Sequence, residues 1–569
     1  MTRRIALATA VVSSALLLAA CGPEVAGEGT TPPAETVAPT PPSEAPTEPP
    51  PTEKGPVTLR IGGLEDIDCW NPYACTSQWP FNDLVYEGFT GHGPEPGCNG
   101  VPRLAESMEA SEDGRTWTIK LHDNVTFSDG TPFDANTAVE FINWFNSTNL
   151  KYWFYTSLYM QEVKAVDDHT LQFTTEYPIR TVEDYDGVWW WMLPPHIWGE
   201  FDDTSMVAYS GFPPVGTGPY TVAEHKPGEY IIFDARPDYY GGKPPVDRIV
   251  YQLYANADAM INALLAGEID LTTHRTPTVY YDQLVTAPNT TVEERPPGDV
   301  HHLAFNLASG GKKHEAVEDP KVREAIDYSI DKEQIVAVAL LGHGTTCANT
   351  WACGANYVGE IDPSLKPTPY DPEKAKQILT DAGYIDSDQD GIRETSDGKP
   401  LEFRLFYKVE VPAHLTMANM VKDWLAQVGI KLNPEGMENA TLQRTVYDDR
   451  DYDIALFSEG PDIDPASIDY EYSCWTSQAG SGALNNSGYC NEELDSLLFQ
   501  YWTTADEETA REPFRAIEAI LMKERPRITL AGENRIQAFH NDRFDFVRNS
   551  CNVGMGMWDF PSVMQIVVK

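Results

Sequence analysis

The sequence predicts a mixed α/β protein of at least two lobes, and three observations carry that expectation. At 569 residues the chain is too long for one hydrophobic core. From Val57 onward, runs with the two-residue period of strands alternate with runs of helical period. Glycine and proline turns punctuate those runs, as at Pro214-Val215-Gly216-Thr217-Gly218-Pro219-Tyr220 and Pro227-Gly228.

An export segment precedes this body. Arg3-Arg4 is a basic start, and Ile5 to Ala20 is an apolar run too short for a membrane span. The tetrapeptide Leu18-Ala19-Ala20-Cys21 resembles a bacterial lipobox, which implies cleavage and acylation of Cys21 as the new N-terminus. Residues 1–20 are therefore expected to be a signal peptide. Residues 21–56, rich in Pro, Thr and Glu, read as a lipidated cysteine and a disordered, semi-stiff tether. No second stretch of spanning length follows, so the body is expected outside the membrane.

Along that body, Val57 to Ile61 reads as the first strand and Phe81 to Gly88 as a helix. Trp117 to Leu121 and Thr170 to Phe173 alternate as strands, with a helix from Asn136 to Phe145 between them. Tyr220 to Val222, Tyr230 to Phe233 and Ile249 to Leu253 are further strands. From Ala257 to Leu265 the apolar residues Met260, Ile261, Leu264 and Leu265 share one helical face. Later, Pro320 to Ile330, Asp371 to Ala382 and His414 to Val428 read as amphipathic helices, and Phe403 to Tyr407 and Asp453 to Phe457 as strands. The turn at Gly216 and Gly218 is expected to use the backbone freedom of glycine.

Lys and Arg number 41 against 86 Asp and Glu, a net charge of −45. Such a surface repels phosphates and argues against a nucleic-acid partner. Beyond Cys21, eight cysteines remain in an exported chain, an even number that reads as disulfides. Short loops pair Cys69 with Cys75, Cys347 with Cys353 and Cys474 with Cys490, leaving Cys98 for Cys551. Catalytic signatures are missing: no nucleophile elbow, no phosphate-binding loop and no paired zinc histidines occur. Adjacent His301 and His302 point opposite ways on a strand and cannot share one ion. An enzyme is not expected.

One metal motif stands out. Asp386, Asp388, Asp390, Glu394 and Asp397 fall at positions one, three, five, nine and twelve of a loop with Gly391 at six. That spacing of hard oxygen donors, with the Ile392 carbonyl, fits a calcium loop of the EF-hand type, here in a structural role.

Several blocks, in one order, carry a family resemblance. They include Val101-Pro102-Arg103-Leu104-Ala105-Glu106-Ser107, Phe127-Ser128-Asp129-Gly130-Thr131-Pro132-Phe133, the GTGPY turn, Asp238-Tyr239-Tyr240-Gly241-Gly242-Lys243-Pro244 and Gly267-Glu268-Ile269-Asp270. Phe305-Asn306, Val322 to Ile326, Ile330-Asp331-Lys332, Tyr370 to Ala375 and Ala382-Gly383-Tyr384 continue it. From about residue 57 to the end the chain resembles the family 5 extracellular solute-binding proteins, the peptide and nickel class of ABC importers.

The resemblance implies a two-lobe periplasmic-binding-protein fold, a Venus flytrap of class II type with an inserted subdomain. Lobe I would comprise 57–90, 197–300 and 531–569, the subdomain 91–196, and lobe II 301–530. It also implies a monomer that captures a peptide by cleft closure and delivers it to permease subunits; an oligosaccharide, a metal chelate or a sensing or adhesive role are the alternatives. Peptide-binding relatives hold the α-amine with an Asp in a tryptophan-containing turn before an Asp-Pro. Aligned on Asp464-Pro465, that position holds Pro461 here, and Glu459 or Asp462 is the substitute. Equivalent loops nominate Ser77, Gln78, Trp79, His274, Arg275, Trp475 and Asn485, while Trp189-Trp190-Trp191 reads as packing.

Overall fold

The computed structural model describes residues 55–569 apart from 68, 76–78, 93–99, 274, 350–352, 354–360, 461–466, 479–484 and 547–562. Cys21, the export segment, the tether to residue 54, Cys98 and Cys551 lie outside the described residues. Among the described residues no helix is long and apolar enough to cross a membrane.

Three sheets organise the body. The first places Thr58–Gly63 beside Arg248–Leu253 in parallel, followed by Tyr230–Ala235 and Tyr220–Lys226, both antiparallel. A second, all antiparallel, runs Ala105–Ala110, Thr116–Leu121, Thr170–Thr175, Met160–Asp167. These two share one apolar cluster, in which Ile61 and Phe233 of the first join Ile119 and Phe173 of the second through Phe81, Phe89 and Trp190. Trp190 and Trp191 are fully buried there, so the tryptophan run does pack.

The third sheet has six strands in the order Gly344–Thr345, Arg527–His540, Thr290–Phe305, Ile454–Glu459, Glu402–Lys408, Lys431–Met437. Its centre is a pair of very long strands, matched from Thr290 opposite His540 to Ala304 opposite Arg527. At one end Val292 and Ala538 pack with Met260 and Leu264 of the helix Ala257–Leu265. At the other, Leu303, Phe305, Ile528 and Leu530 enter a separate core with Val322, Phe403 and Met417. Between these ends the ladder slips register at Arg295/Pro297, Pro297/Asp299 and His301/His302. Proline offers no donor to a ladder and bulges bend a strand, so the spine is weakest where it leaves one core for the other. The prolines that loosen this strand also hide it from periodicity, and neither long strand was legible beyond the histidine pair.

Shorter elements fall where local signals put them. The expected helix at Asn136 to Phe145 is Ala135–Ser147, opened by the Asp134 carboxylate accepting from the Thr137 N–H at 2.8 Å. Ala257–Leu265 forms as expected, capped by Asn256, with Met260, Ile261 and Leu264 buried, but Leu265, expected on the same face, is exposed and Ala263 is buried instead. The expected helix at His414 to Val428 begins two residues earlier, as Pro412–Gln427.

The family blocks turn out to be scaffold joints. Glu87 is fully buried and accepts from the hydroxyls of Tyr239 (2.7 Å) and Tyr240 (3.0 Å). Arg103, equally buried, lies 3.2 Å from Glu87 and 3.3 Å from Asp83. One ion pair thus ties the Val101–Ser107 block to the Asp238–Pro244 turn. Asp270, with no exposed surface, accepts from the Arg60 N–H at 2.9 Å and pairs with the Arg60 guanidinium at 2.8 Å and with Arg543. The GTGPY turn needs its glycines for a reason other than the one expected. Neither Gly216 nor Gly218 has positive φ. Instead a Cβ on Gly218 would stand 2.6 Å from the Leu84 carbonyl, and one on Gly216 would strike that of Val85. Close approach to a helix end, rather than backbone freedom, excludes side chains here.

Disulfides join Cys69 to Cys75, Cys347 to Cys353 and Cys474 to Cys490, with Cα separations of 6.0, 5.1 and 4.3 Å.

Candidate functional site

Two places combine charge, aromatic surface and an origin in distant segments. The first lies at the strand crossing. Asp299 sits at a register slip, 3.2 Å from the Arg275 guanidinium and 3.7 Å from that of Arg535. Burial pushes the Asp299 carboxyl up, but Arg275 and Arg535 outweigh it and hold it below the usual range. Arg275 is raised by Asp299 first, then by Glu65 and Glu533, and half of its side chain is still exposed. Beside it, His301 bridges Glu533 at 3.0 Å and His414 at 3.3 Å. Burial holds His414 well below its ordinary pKa. This cluster is dense and internally paired.

The second place is a cavity of about 300 Å³. One wall comes from the turn Asn149–Trp153, the helix Tyr155–Tyr159 and the widened helical turn Val182–Asp186. Facing it are the helix Ser467–Tyr472, the turn Cys474–Thr476 and the helix Glu492–Trp502. Thr148 opens the first wall by accepting from the Leu150 N–H at 3.2 Å. Asn491 opens the last helix by accepting from the N–H groups of Glu493 and Leu494. The Cys474–Cys490 bridge and the Cys474 N–H, which donates to Asp495 at 3.0 Å, tie that wall together. Aromatic contacts then join wall to wall: Tyr155 to Trp502 at 5.2 Å and Tyr159 to Phe499 at 6.0 Å between ring centres. The Tyr470 hydroxyl donates across to the Trp153 carbonyl.

Three carboxylates line this cavity, and among its described lining residues there is no Lys, Arg or His. Asp186 is fully buried and accepts from the Thr156 N–H at 3.1 Å and from the Thr156 hydroxyl. Burial pushes its pKa up to about 7. Asp469 is pushed by burial up to about 6, against the indole N–H of Trp475, which donates to it at 3.0 Å, and the Tyr155 hydroxyl. Burial also raises Asp495. Neutral or half-ionised carboxyls between aromatic faces can take a positive group that supplies the missing counter-charge.

Of the described residues nominated from sequence, Trp475 alone is placed at the cavity, 46% exposed with its ring 5.8 Å from that of Tyr470. Arg275 belongs to the crossing cluster. Glu459 is committed elsewhere, because the buried Arg527 guanidinium lies 2.9 Å from it and Asn486 donates to it at 3.2 Å. Asn485 is fully buried and clamps the turn that carries Trp475, donating to Thr476 Oγ at 3.1 Å and to the Tyr489 carbonyl at 2.9 Å. Its amide is thus spent on that turn. Ser77, Gln78, His274 and Asp462 lie outside the described residues, as does the side chain of Trp79. Tyr155, Asp186 and Asp469 were missed; the aromatic run Tyr152-Trp153-Phe154-Tyr155 was the available signal.

In the acidic loop, ligand atoms of Asp386, Asp388, Asp390 and Glu394 come within 4.8 Å of one another. Gly391 takes positive φ there, and the Ile392 N–H donates to Asp390 at 2.8 Å. Asp397 does not join the group. Its carboxylate accepts from the Thr395 hydroxyl and lies 3.5 Å from Lys399, because Gly398 turns the chain into a hairpin before it can reach back.

The sequence model of the family described as bacterial extracellular solute-binding proteins, family 5, matches residues 99–481, more than half of the chain. The nickel-binding periplasmic protein of Escherichia coli (strain K12) is 28% identical over 388 residues, covering 67% of this chain and 71% of that protein. Oligopeptide-binding protein AppA of Bacillus subtilis (strain 168) is 26% identical over 438 residues, 74% of this chain and 76% of its own. The solved structure of AppA from Bacillus subtilis in complex with a nonapeptide superposes with a TM-score of 0.76 at 22% identity, covering 90% of this chain and 99% of that one. That likeness establishes the two-lobe fold.

Proposed function

The chain belongs to the bacterial extracellular solute-binding proteins of family 5, and on that premise we propose that it captures a peptide between its two lobes and hands it to membrane permeases. It is the substrate-binding component of an ABC importer, it acts outside the cytoplasm, and its relatives are binding proteins rather than enzymes. The observation that carries the peptide reading is the aromatic cavity with Asp469 and Trp475 at its wall. Aromatic faces take apolar side chains, and the carboxylates take a ligand's ammonium group. The similarity to AppA supports the same ligand class. Lobe I (57–90, 197–300, 531–569), with the subdomain 91–196, closes on lobe II (301–530) about the slipped spine at Arg295 to His302. The monomer is held to the membrane by the acylated Cys21.

One mass spectrum tests both parts. The full chain, extracted from membranes and sprayed under native conditions, is expected to release peptide masses and to carry a lipid on Cys21 as its first residue. Sugar or metal-chelate masses overturn the peptide reading; an unmodified N-terminus overturns the anchor.

A structural calcium ion in the acidic loop is a second part of the reading, held by Asp386, Asp388, Asp390 and Glu394. Calcium is expected to raise the Tm, and EDTA or Asp388→Asn to remove that gain. A Tm indifferent to calcium and to EDTA sinks it.

A further inference from the structure

We propose that the aromatic cavity selects ligands bearing an organic ammonium or guanidinium group, with Asp469 as the direct counter-ion and Asp186 and Asp495 supplying the field. This deepens the proposed capture and rests on that cavity being the ligand site.

The walls supply ring faces, from Tyr155, Tyr159, Tyr470 and Trp475, and ring faces attract cations. Every formal charge on the described lining is negative. Of the nearby cations, Arg180 lies 4.5 Å over the ring of Tyr501, which is not on the lining, and Lys151 lies 5.4 Å over the ring of Tyr152, which is. An anionic or neutral ligand would leave these carboxyls either repelling it or protonated. A cation placed among them gains charge-assisted hydrogen bonds to carboxyls that burial has stripped of water.

The groups facing Asp469 bear on its titration. On its own side these are Ser473, Trp475 and Asp495, the last itself pushed up by burial and then by Glu492; across the cavity stand Tyr155, Tyr159 and Asp186. All of the ionisable ones are acids, and in the free protein burial first of all raises the three carboxyls. A bound cation reverses that and expels protons. Affinity for a cation is therefore expected to rise with pH between about 5 and 8, the range that spans the values of Asp469 and Asp186.

Calorimetry with the full chain tests this with three probes, the peptides having their α-amines acetylated so that only the lysine side chain carries an ammonium: Ala-Lys-Ala, its norleucine counterpart, and spermidine. Ala-Lys-Ala is expected to bind at least roughly thirty-fold more tightly than the norleucine peptide, a gain of about 2 kcal/mol. Near pH 6.5 its binding should release protons, seen as a heat that depends on the buffer's ionisation enthalpy. Asp469→Asn keeps an acceptor for the Trp475 indole and is expected to erase both the preference and the proton release. Equal binding of the two peptides overturns cation selection and leaves peptide capture standing. Spermidine binding without either peptide keeps the cation site and overturns peptide capture. A preference that survives in both Asp469→Asn and Trp475→Ala removes the cavity as its source, and no binding by any probe overturns the proposal.

Discussion

Replacing Arg527 by methionine lowers the stability of the protein by about 3–5 kcal/mol at pH 7, the range for breaking a buried ion pair from one side. The guanidinium has 2% of its side chain exposed and stands 2.9 Å from Glu459 and 3.0 Å from Glu471, themselves 15% and 6% exposed. It also lies 5.0 Å over the ring of Tyr472. Burial disfavours its charge, yet Glu459 and Glu471 outweigh burial and raise its pKa. Methionine fills much of the volume but strands two carboxylates in a shared, poorly hydrated pocket. They then hold protons that the unfolded chain gives up, so the loss is expected to shrink as pH falls toward 4. Adding Glu459→Gln and Glu471→Gln to the methionine variant should restore most of the stability. Urea unfolding of the parent, the methionine variant, the triple variant and Glu459→Gln alone measures this; a loss below about 1 kcal/mol in the methionine variant would mean that the guanidinium is not the counter-charge. The same series shows what Glu459 does: its replacement should move stability far more than ligand affinity.

Asp186→Asn is expected to stabilise the ligand-free protein at pH 8 by about 2–4 kcal/mol and to leave it nearly unchanged at pH 4. The folded pKa of Asp186 is pushed by burial up to about 7, against about 3.9 when unfolded. A raised folded pKa means stability that is complete below about pH 4 and is lost as pH climbs through about 7. Asparagine is neutral throughout, and its carbonyl can still accept from the Thr156 N–H and hydroxyl. Tm measured from pH 4 to 8 should fall less steeply for the variant between about pH 4 and 7, with the two slopes converging above that. A variant less stable than the parent at pH 8 would show instead that the folded chain needs the anion.

These two residues also show where sequence reading stops. Local chemistry was legible: the Asp134 cap, the helix face of Ala257–Leu265, the three short-loop disulfides and the convergence of Asp386, Asp388 and Asp390 all follow from neighbours within a few residues. The family blocks were legible as well, because joints such as Glu87 with Arg103 and Tyr239 accept few other residue types. What those blocks encode is the frame. The partners of the functional candidates come from far along the chain. Arg527 reaches Glu459 over 68 residues, and the two cavity walls, at 149–186 and 467–502, meet only once the frame is built.

By itself, then, the sequence determined the class and several contacts whose partners lie close along the chain, such as the Asp134 cap and the three short-loop disulfides. Tertiary structure alone decided that Glu459 neutralises an arginine and that Asp186 and Asp469 share an aromatic cavity. The reason is physical. A carboxylate's role is set by the charges and the water within a few ångströms of it, and those depend on which distant segments packing brings there.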